Sequence, residues 1–383
     1  MSILILLGSF VFLLLLIGLA SAIFLRFAPW LGGRWDAEDL ERMRLSDQYD
    51  SGRFRNDSPL AIAQGIPSSF SPPERPPSSI LWEFLRGRED RRPSSPVPNE
   101  IPDFDRIISA PSHQLRVTWF GHSTCLIELE GKVFMTDPVF VHQPSPLPGM
   151  GPKTFPGSNP FQADDIPHLD AIVLSHDHYD HLDYHTIRKL DGKTDKYFVP
   201  LGVAAHLKRW GISGERIVEL DWWESRSIEG SDIIFTATPA QHFSGRNPFE
   251  QNHTLWAGWA IRGKTQSVYF GGDSGYGDLF GIIGERLGPF DITMLDSAQY
   301  SVYWSTIHMH PEETVRAHRD LGGNVLLPIH WGKFNLSIHP WTEPMERIIA
   351  CSALEGVQVA TPIIGESFIP SDSIPQRAWW REL

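Results

Sequence analysis

The sequence predicts an α/β protein whose sheets carry helices packed outside, a layered domain rather than separable pieces. Three observations lead there. From about Leu115 onward, short apolar runs of strand length alternate with segments carrying helix signals. Several of those runs stop abruptly on a His or Asp. With 383 residues, 41% of them hydrophobic, the chain can fill one large core and still carry extensions.

Taken in order, Ser2 to Leu25 holds no charged residue and is dominated by Leu, Ile and Phe. At about 1.5 Å per residue such a helix exceeds the roughly 30 Å hydrocarbon thickness of a bilayer. Residues 1–28 are therefore expected to be a transmembrane anchor. Ala20-Ser21-Ala22 keeps a cleaved secretory signal open as the competing reading. Arg26, Arg34, Arg42 and Arg44 come after the run and no Lys or Arg precedes it, which places the main domain on the cytoplasmic side. Residues 29–110 are polar and Pro-rich, as in Ser71-Pro72-Pro73-Glu74-Arg75-Pro76-Pro77, and cannot sustain long helices or central strands. One helical segment is expected there, at Ile80 to Leu85. This extension is either a plain tether or an arm wrapped on the main domain.

The main domain is expected over 111–370, with 371–383 as a tail. Arg116 to Phe120 and Thr124 to Glu130 read as paired strands around Gly121-His122-Ser123, and Lys132 to Thr136 as a third closed by Asp137-Pro138. Val141 to Phe161 is Pro- and Gly-rich, the composition of a binding loop. Further strands are expected at Asp170 to Leu174, Tyr197 to Val199, Ile217 to Leu220, Ile233 to Thr238, Leu255 to Arg262 and Ser267 to Phe270. Helices are expected from about Tyr184, and at Val203 to Trp210, Leu279 to Leu287, Pro311 to Leu321 and Pro344 to Leu354. Pro311 suits the first turn of a helix, where no N–H bond is lost.

Composition excludes some partners. A formal charge of −13 argues against nucleic acid, whose phosphates are met by Lys and Arg. Cys125 and Cys351 stand far apart without a C-x-x-C pattern, so they are read as free thiols. Core packing explains most of the fourteen tryptophans; Trp222, Trp223, Trp256, Trp259 and Trp304 remain candidates for a groove that takes an apolar ligand.

The strongest signal is Ser175-His176-Asp177-His178-Tyr179-Asp180-His181. Three imidazoles and a carboxylate in the order His-x-His-x-Asp-His, directly after an apolar strand, suit a borderline-soft dication such as zinc. Three later sites share the same grammar. Ile233 to Thr238 leads to His242, Val268 to Phe270 leads through two glycines to Asp273, and Val325 to Ile329 leads to His330. Together they supply seven ligands, enough for two metals sharing a carboxylate.

That order of ligands resembles the metallo-β-lactamase superfamily in its two-zinc form. The contexts Thr238-Pro239-Ala240-Gln241-His242, Phe270-Gly271-Gly272-Asp273-Ser274-Gly275-Tyr276, His310-Pro311-Glu312-Glu313 and Ile329-His330-Trp331-Gly332 resemble its N-acyl-phosphatidylethanolamine-hydrolysing phospholipase D family. The likeness begins near Gly52-Arg53-Phe54-Arg55-Asn56. It implies a four-layer αββα sandwich with two Zn2+ at one edge. His176, His178 and His242 would hold one zinc, Asp180, His181 and His330 the other, and Asp273 would bridge them. A hydroxide between cations about 3.5 Å apart would attack phosphorus and expel an N-acylethanolamine, leaving phosphatidic acid. Asp180, Asp273 and His308 are the implied catalytic groups, with His308 and Tyr276 toward the substrate. His122 and Asp137 would support the ligands from behind. The same resemblance implies a phospholipid substrate and a membrane partner. Open alternatives are a lactonase or thioesterase of the same superfamily, a non-lipid phosphodiesterase, and a non-catalytic scaffold that keeps zinc for folding.

Overall fold

The computed structural model describes residues 2–56, 82, 89–109, 111–147, 149–247 and 249–383. Helices α1 (Ser2–Phe27) and α2 (Ala37–Arg44) come first, then a hairpin of β1 (Tyr49–Asp50) and β2 (Arg53–Phe54), then α3 (Phe104–Ser109). The first sheet takes β3 (Arg116–Trp119), β4 (Cys125–Leu129), β5 (Lys132–Thr136), β6 (Leu169–Val173), β7 (Thr194–Pro200) and β8 (Ile217–Leu220). Crossover helices α4 (Tyr184–Leu190) and α5 (Ala204–Arg209) connect its last three strands. The second sheet takes β9 (Ser225–Ser227), β10 (Ile234–Thr238), β11 (Gly258–Arg262), β12 (Ser267–Phe270), β13 (Phe290–Asp296), β14 (Gly323–Ile329) and β15 (Gln358–Val359). Its crossovers are α6 (Leu279–Leu287), α7 (Pro311–Asp320) and α8 (Glu343–Glu355), and β16 (Ser367–Phe368) returns to pair with β3.

The two sheets share one wiring plan. β3, β4 and β5 are antiparallel and β5 to β8 parallel; β10, β11 and β12 are antiparallel and β12 to β15 parallel. Parallel strands buried on both faces need continuous apolar sequence, and β6 and β14 supply it. Rings from both sheets meet in the core: Phe198 stacks on Phe235 at 4.1 Å and Phe134 meets Phe235 edge-on at 5.1 Å. The layered α/β sandwich is thus present, with mixed sheets. Strand β13, in the middle of the second sheet, is an element the sequence pattern did not single out.

The N-terminal expectation is not supported in the same way. Ser2–Phe27 is a single helix. Among the described residues, however, no helix is long and apolar enough to cross a membrane. The side chains of residues 1–6, 8, 17, 20–23 and 25 lie outside those described. Just beyond α1 the described residues lie on the domain. Trp210 Nε1 donates to the Pro29 carbonyl (2.7 Å), Trp30 Nε1 to Pro146 (2.8 Å) and Trp35 Nε1 to Gly202 (2.8 Å). The Gly33 N–H donates to His206 Nδ1 (2.9 Å), and a Cβ there would stand 1.8 Å from the Ala205 carbonyl oxygen, so only glycine fits. The segment expected at Ile80 to Leu85 lies outside the described residues except for Trp82. Residues 371–383 pack as well: Trp379 and Trp380 are buried, and Trp379 stacks on Trp331 (5.1 Å), which stacks on Trp119 (5.4 Å).

Candidate metal centre

Strand β6 ends at Val173, and the loop after it is held from below. The Ser175 N–H donates to Asp137 Oδ1 (2.8 Å) and its hydroxyl to Asp137 Oδ2 (2.5 Å). The chain then closes a tight turn, with the amides of His181 and Leu182 both donating to the His178 carbonyl (3.1 and 2.7 Å). That turn throws His176, His178, Asp180 and His181 to one side. Asp177 faces away, accepting from the Gly245 N–H (2.7 Å) beside His206 Nε2 (3.2 Å).

The loops after β10, β12 and β14 meet this turn. His176 Nε2 lies 2.8 Å from His178 Nδ1, and His242 Nε2 lies 3.3 Å from the same atom. Asp273 Oδ2 sits at the middle, 3.9 Å from His176 Nε2, 3.8 Å from His242 Nε2, and 3.2 Å from both His181 Nε2 and His330 Nε2. Asp180 Oδ2 stands 3.5 Å from each of those last two nitrogens. All seven residues singled out in the sequence are therefore gathered around one carboxylate. Close approach depends on Gly272, which has φ +58° and where a Cβ would meet Ser175 Cβ at 2.4 Å. His122, Asp137 and His330 also take positive φ (55°, 34° and 66°), a conformation uncommon for residues with a side chain.

Outer partners fix which ring nitrogen faces inward. His181 Nδ1 donates to Asp137 Oδ2 (2.7 Å), His242 Nδ1 to the Ile307 carbonyl (3.0 Å), and His330 Nδ1 lies 3.3 Å from Asp296 Oδ1. His122 Nε2 meets Asp180 Oδ2 at 2.9 Å. His181 Nε2, both ring nitrogens of His330 and Asp273 Oδ1 are buried without a hydrogen-bond partner. Buried orphan lone pairs converging from imidazoles and carboxylates fit divalent cations.

The electrostatics divide the cluster. Burial holds His178 below the ordinary histidine range and His176 and His242 far below it, so these rings are neutral. Burial works the same way on His181 and His330, but there the carboxylates win. Asp273 and Asp180 push His181 well above its usual range, and Asp273 and Asp296 carry His330 up to about 10. Burial, then His330, presses His122 to about 3, so it meets Asp180 as a neutral N–H donor.

Two expectations need correction and one residue was missed. Tyr276, expected toward the substrate, turns its hydroxyl to Asp320 Oδ2 (2.5 Å) under the Arg316 guanidinium. Its nearness to Asp273 in sequence does not carry over to its functional group. Trp222, Trp256 and Trp259 are buried and donate Nε1 to backbone carbonyls, which makes them core rather than groove. The missed residue is Asp296, the last of β13. Its Oδ2 accepts from His308 Nδ1 (2.8 Å), while its Oδ1 faces His330. His308 in turn stacks on His330 with ring centroids 5.0 Å apart. Asp296 obeys the strand-end grammar of the other ligands, and that signal would have found it.

Behind the cluster, Lys333 is fully buried and donates to the carbonyls of Val139 (2.8 Å) and Phe120 (3.3 Å), tying together the ends of three strands. Burial lowers its ammonium from 10.5 to about 7. Between those values the unfolded chain binds the extra proton, so this group's contribution to stability rises with pH. Lys333→Met removes that slope. The melting temperature of the wild type should gain on that of Lys333→Met as pH climbs from about 7 to 10, and parallel curves in thermal denaturation would contradict the buried-ammonium account.

The comparisons agree with this geometry. The beta-lactamase superfamily domain matches residues 134–331, a span holding all seven converging residues. An uncharacterised protein of Mycobacterium tuberculosis is 42% identical over 340 residues, 88% of each chain. The N-acyl-phosphatidylethanolamine-hydrolyzing phospholipase D 1 of Caenorhabditis elegans is 36% identical over 273 residues, 67% of this chain and 76% of that one. A possible metal-dependent hydrolase from Veillonella parvula superposes with TM-score 0.53 at 17% identity, covering 67% of this chain and 99% of its own, which speaks to the fold alone. The chain belongs to the metallo-β-lactamase superfamily and, within it, to the family of N-acyl-phosphatidylethanolamine-hydrolysing phospholipase D-like hydrolases.

Proposed function

We propose that this hydrolase is a two-zinc phosphodiesterase that cleaves N-acyl-phosphatidylethanolamine-like phospholipids to N-acylethanolamine and phosphatidic acid. The observation that carries the reading is Asp273 Oδ2 within 3.9 Å of four imidazole nitrogens. His176, His178 and His242 would hold one cation and Asp180, His181 and His330 the other, with Asp273 shared between them. When bound, the metals supply Lewis acidity and an acidified water.

The protein's own groups do the rest. Asp137 sets the inward nitrogen of His181, Asp296 Oδ1 stands 3.3 Å behind His330 Nδ1, and His122 pins the Asp180 carboxylate. With Nδ1 committed to Asp296, His308 keeps Nε2 for a phosphoryl oxygen or for delivering a proton to the departing alkoxide. The Caenorhabditis elegans relative's name supports a lipid diester as substrate. Lipid products of the purified, zinc-loaded protein test the reading. In water labelled with heavy oxygen, label in the phosphatidic acid is the expected result, whereas lysolipid and free fatty acid would sink it in favour of carbonyl chemistry.

Membrane attachment through α1, with the domain on the cytoplasmic side, belongs to the same proposal. Residues 2–25 carry no charge, and Leu7, Phe10, Phe12 and Leu15 are exposed. Deleting residues 1–28 keeps the arm's contacts through Pro29, Trp30, Gly33 and Trp35 and loses those of Phe24 and Arg26. The shortened protein should leave the membrane fraction yet retain activity on a soluble chromophoric diester; unchanged sedimentation with membranes would refute the anchor.

A further inference from the structure

The His242 loop leaves the second sheet at Thr238, so the backbone of the ligand itself has no strand neighbour. Its partner comes from the N-terminal arm. Asn56 Nδ2 donates to the His242 carbonyl (2.9 Å), and the His242 N–H donates to Asn56 Oδ1 (3.1 Å). One side-chain amide thereby satisfies both backbone groups of the ligand, as a neighbouring strand would. Trp256 Nε1 also donates to Asn56 Oδ1 (3.0 Å), fixing which end of the amide is oxygen. With the backbone clamped and Nδ1 held by Ile307, the ring has one direction left for Nε2, toward His176 and His178.

We infer that Asn56 is a positioning residue for the three-imidazole metal subsite, supplied by the arm from outside the matched superfamily domain. This rests on the two-metal reading above. A ligand whose backbone is clamped loses less freedom on binding a cation, and outer supports of this kind are worth about 10–100-fold in metal affinity. The arm grips the other ligand loop too. Arg246 donates to the Trp30 carbonyl (2.7 Å) and to those of Asp177 (2.6 Å) and Leu182 (2.8 Å), at the two ends of the ligand turn. The Asn56 clamp is the contact that reaches His242 alone, so its loss should fall on one subsite.

The experiment is titration of the metal-free full chain with Zn2+ and with Co2+, the latter followed by its visible absorption. Wild type should take up two ions. In Asn56→Ala one of the two should bind about 10–100-fold more weakly while the other keeps its affinity, with the melting temperature of the metal-free variant close to wild type. Trp256→Phe loses a core indole but keeps the amide pair on His242, and should bind both ions normally even if its melting temperature falls. Equal affinities in wild type and Asn56→Ala, or equal weakening of both ions, would overturn the inference. Should Asn56→Ala not fold, Asn56→Asp, which keeps the acceptor and loses the donor, must still weaken one ion selectively. A wild type that binds no ion would instead refute the two-metal reading.

Discussion

Asp273→Asn is expected to cut phosphodiester turnover by about a thousandfold or more, ~4 kcal/mol of transition-state stabilisation, while the fold stays intact. Asn has the same shape, so the β12 loop and Gly272 are undisturbed. What changes is the atom at the centre. Asp273 Oδ2 faces the nitrogens of His176, His181, His242 and His330 at 3.2 to 3.9 Å. A neutral amide contributes no charge to two cations, and half of its orientations aim N–H at lone pairs. Turnover measured beside metal content and circular dichroism checks the claim. Near-normal turnover in a folded variant would remove Asp273 from the bridge.

Stripping the metals should abolish activity and lower the melting temperature by about 10 °C, both restored by added zinc. Each site filled at about 100 times its dissociation constant stabilises by ~2.7 kcal/mol, and two such sites shift a domain of this size by roughly that much. Without cations, His176, His178 and His242 crowd their nitrogens at 2.8 and 3.3 Å around the buried Asp273. Calorimetry before and after chelation, with metal content verified, decides it. An unchanged transition after removal would count against any cation in the cluster.

Much of the site was legible in the sequence because the ligands lie where local pattern is strongest. His176 to His181 occupy a single turn after an apolar strand, and His242, Asp273 and His330 each come after such a strand. Asp296 escaped because β13 reads Phe-Asp-Ile-Thr-Met-Leu-Asp, with polar residues inside a buried strand. Those polar groups are satisfied only in three dimensions, Thr293 by His318 Nδ1 (2.7 Å) and Asp291 by the Ser267 N–H (2.7 Å). Asn56 escaped for another reason, since 186 residues separate it from His242 and no local period records such a contact. The opposite error arose at Tyr276, where closeness to Asp273 along the chain suggested a shared task that the fold assigns to Asp320 instead.

The repeated wiring of the two sheets has a consequence for how the molecule holds together. His176, His178, Asp180 and His181 come from the first repeat, and His242, Asp273 and His330 from the second. On the proposed assignment neither repeat owns a complete set of ligands, so each cation would act as a rivet through the seam between the two. Emptied of its rivets, the protein should breathe along that seam first, with amide exchange quickening at the strand ends around the cluster before it reaches the far rim of either sheet.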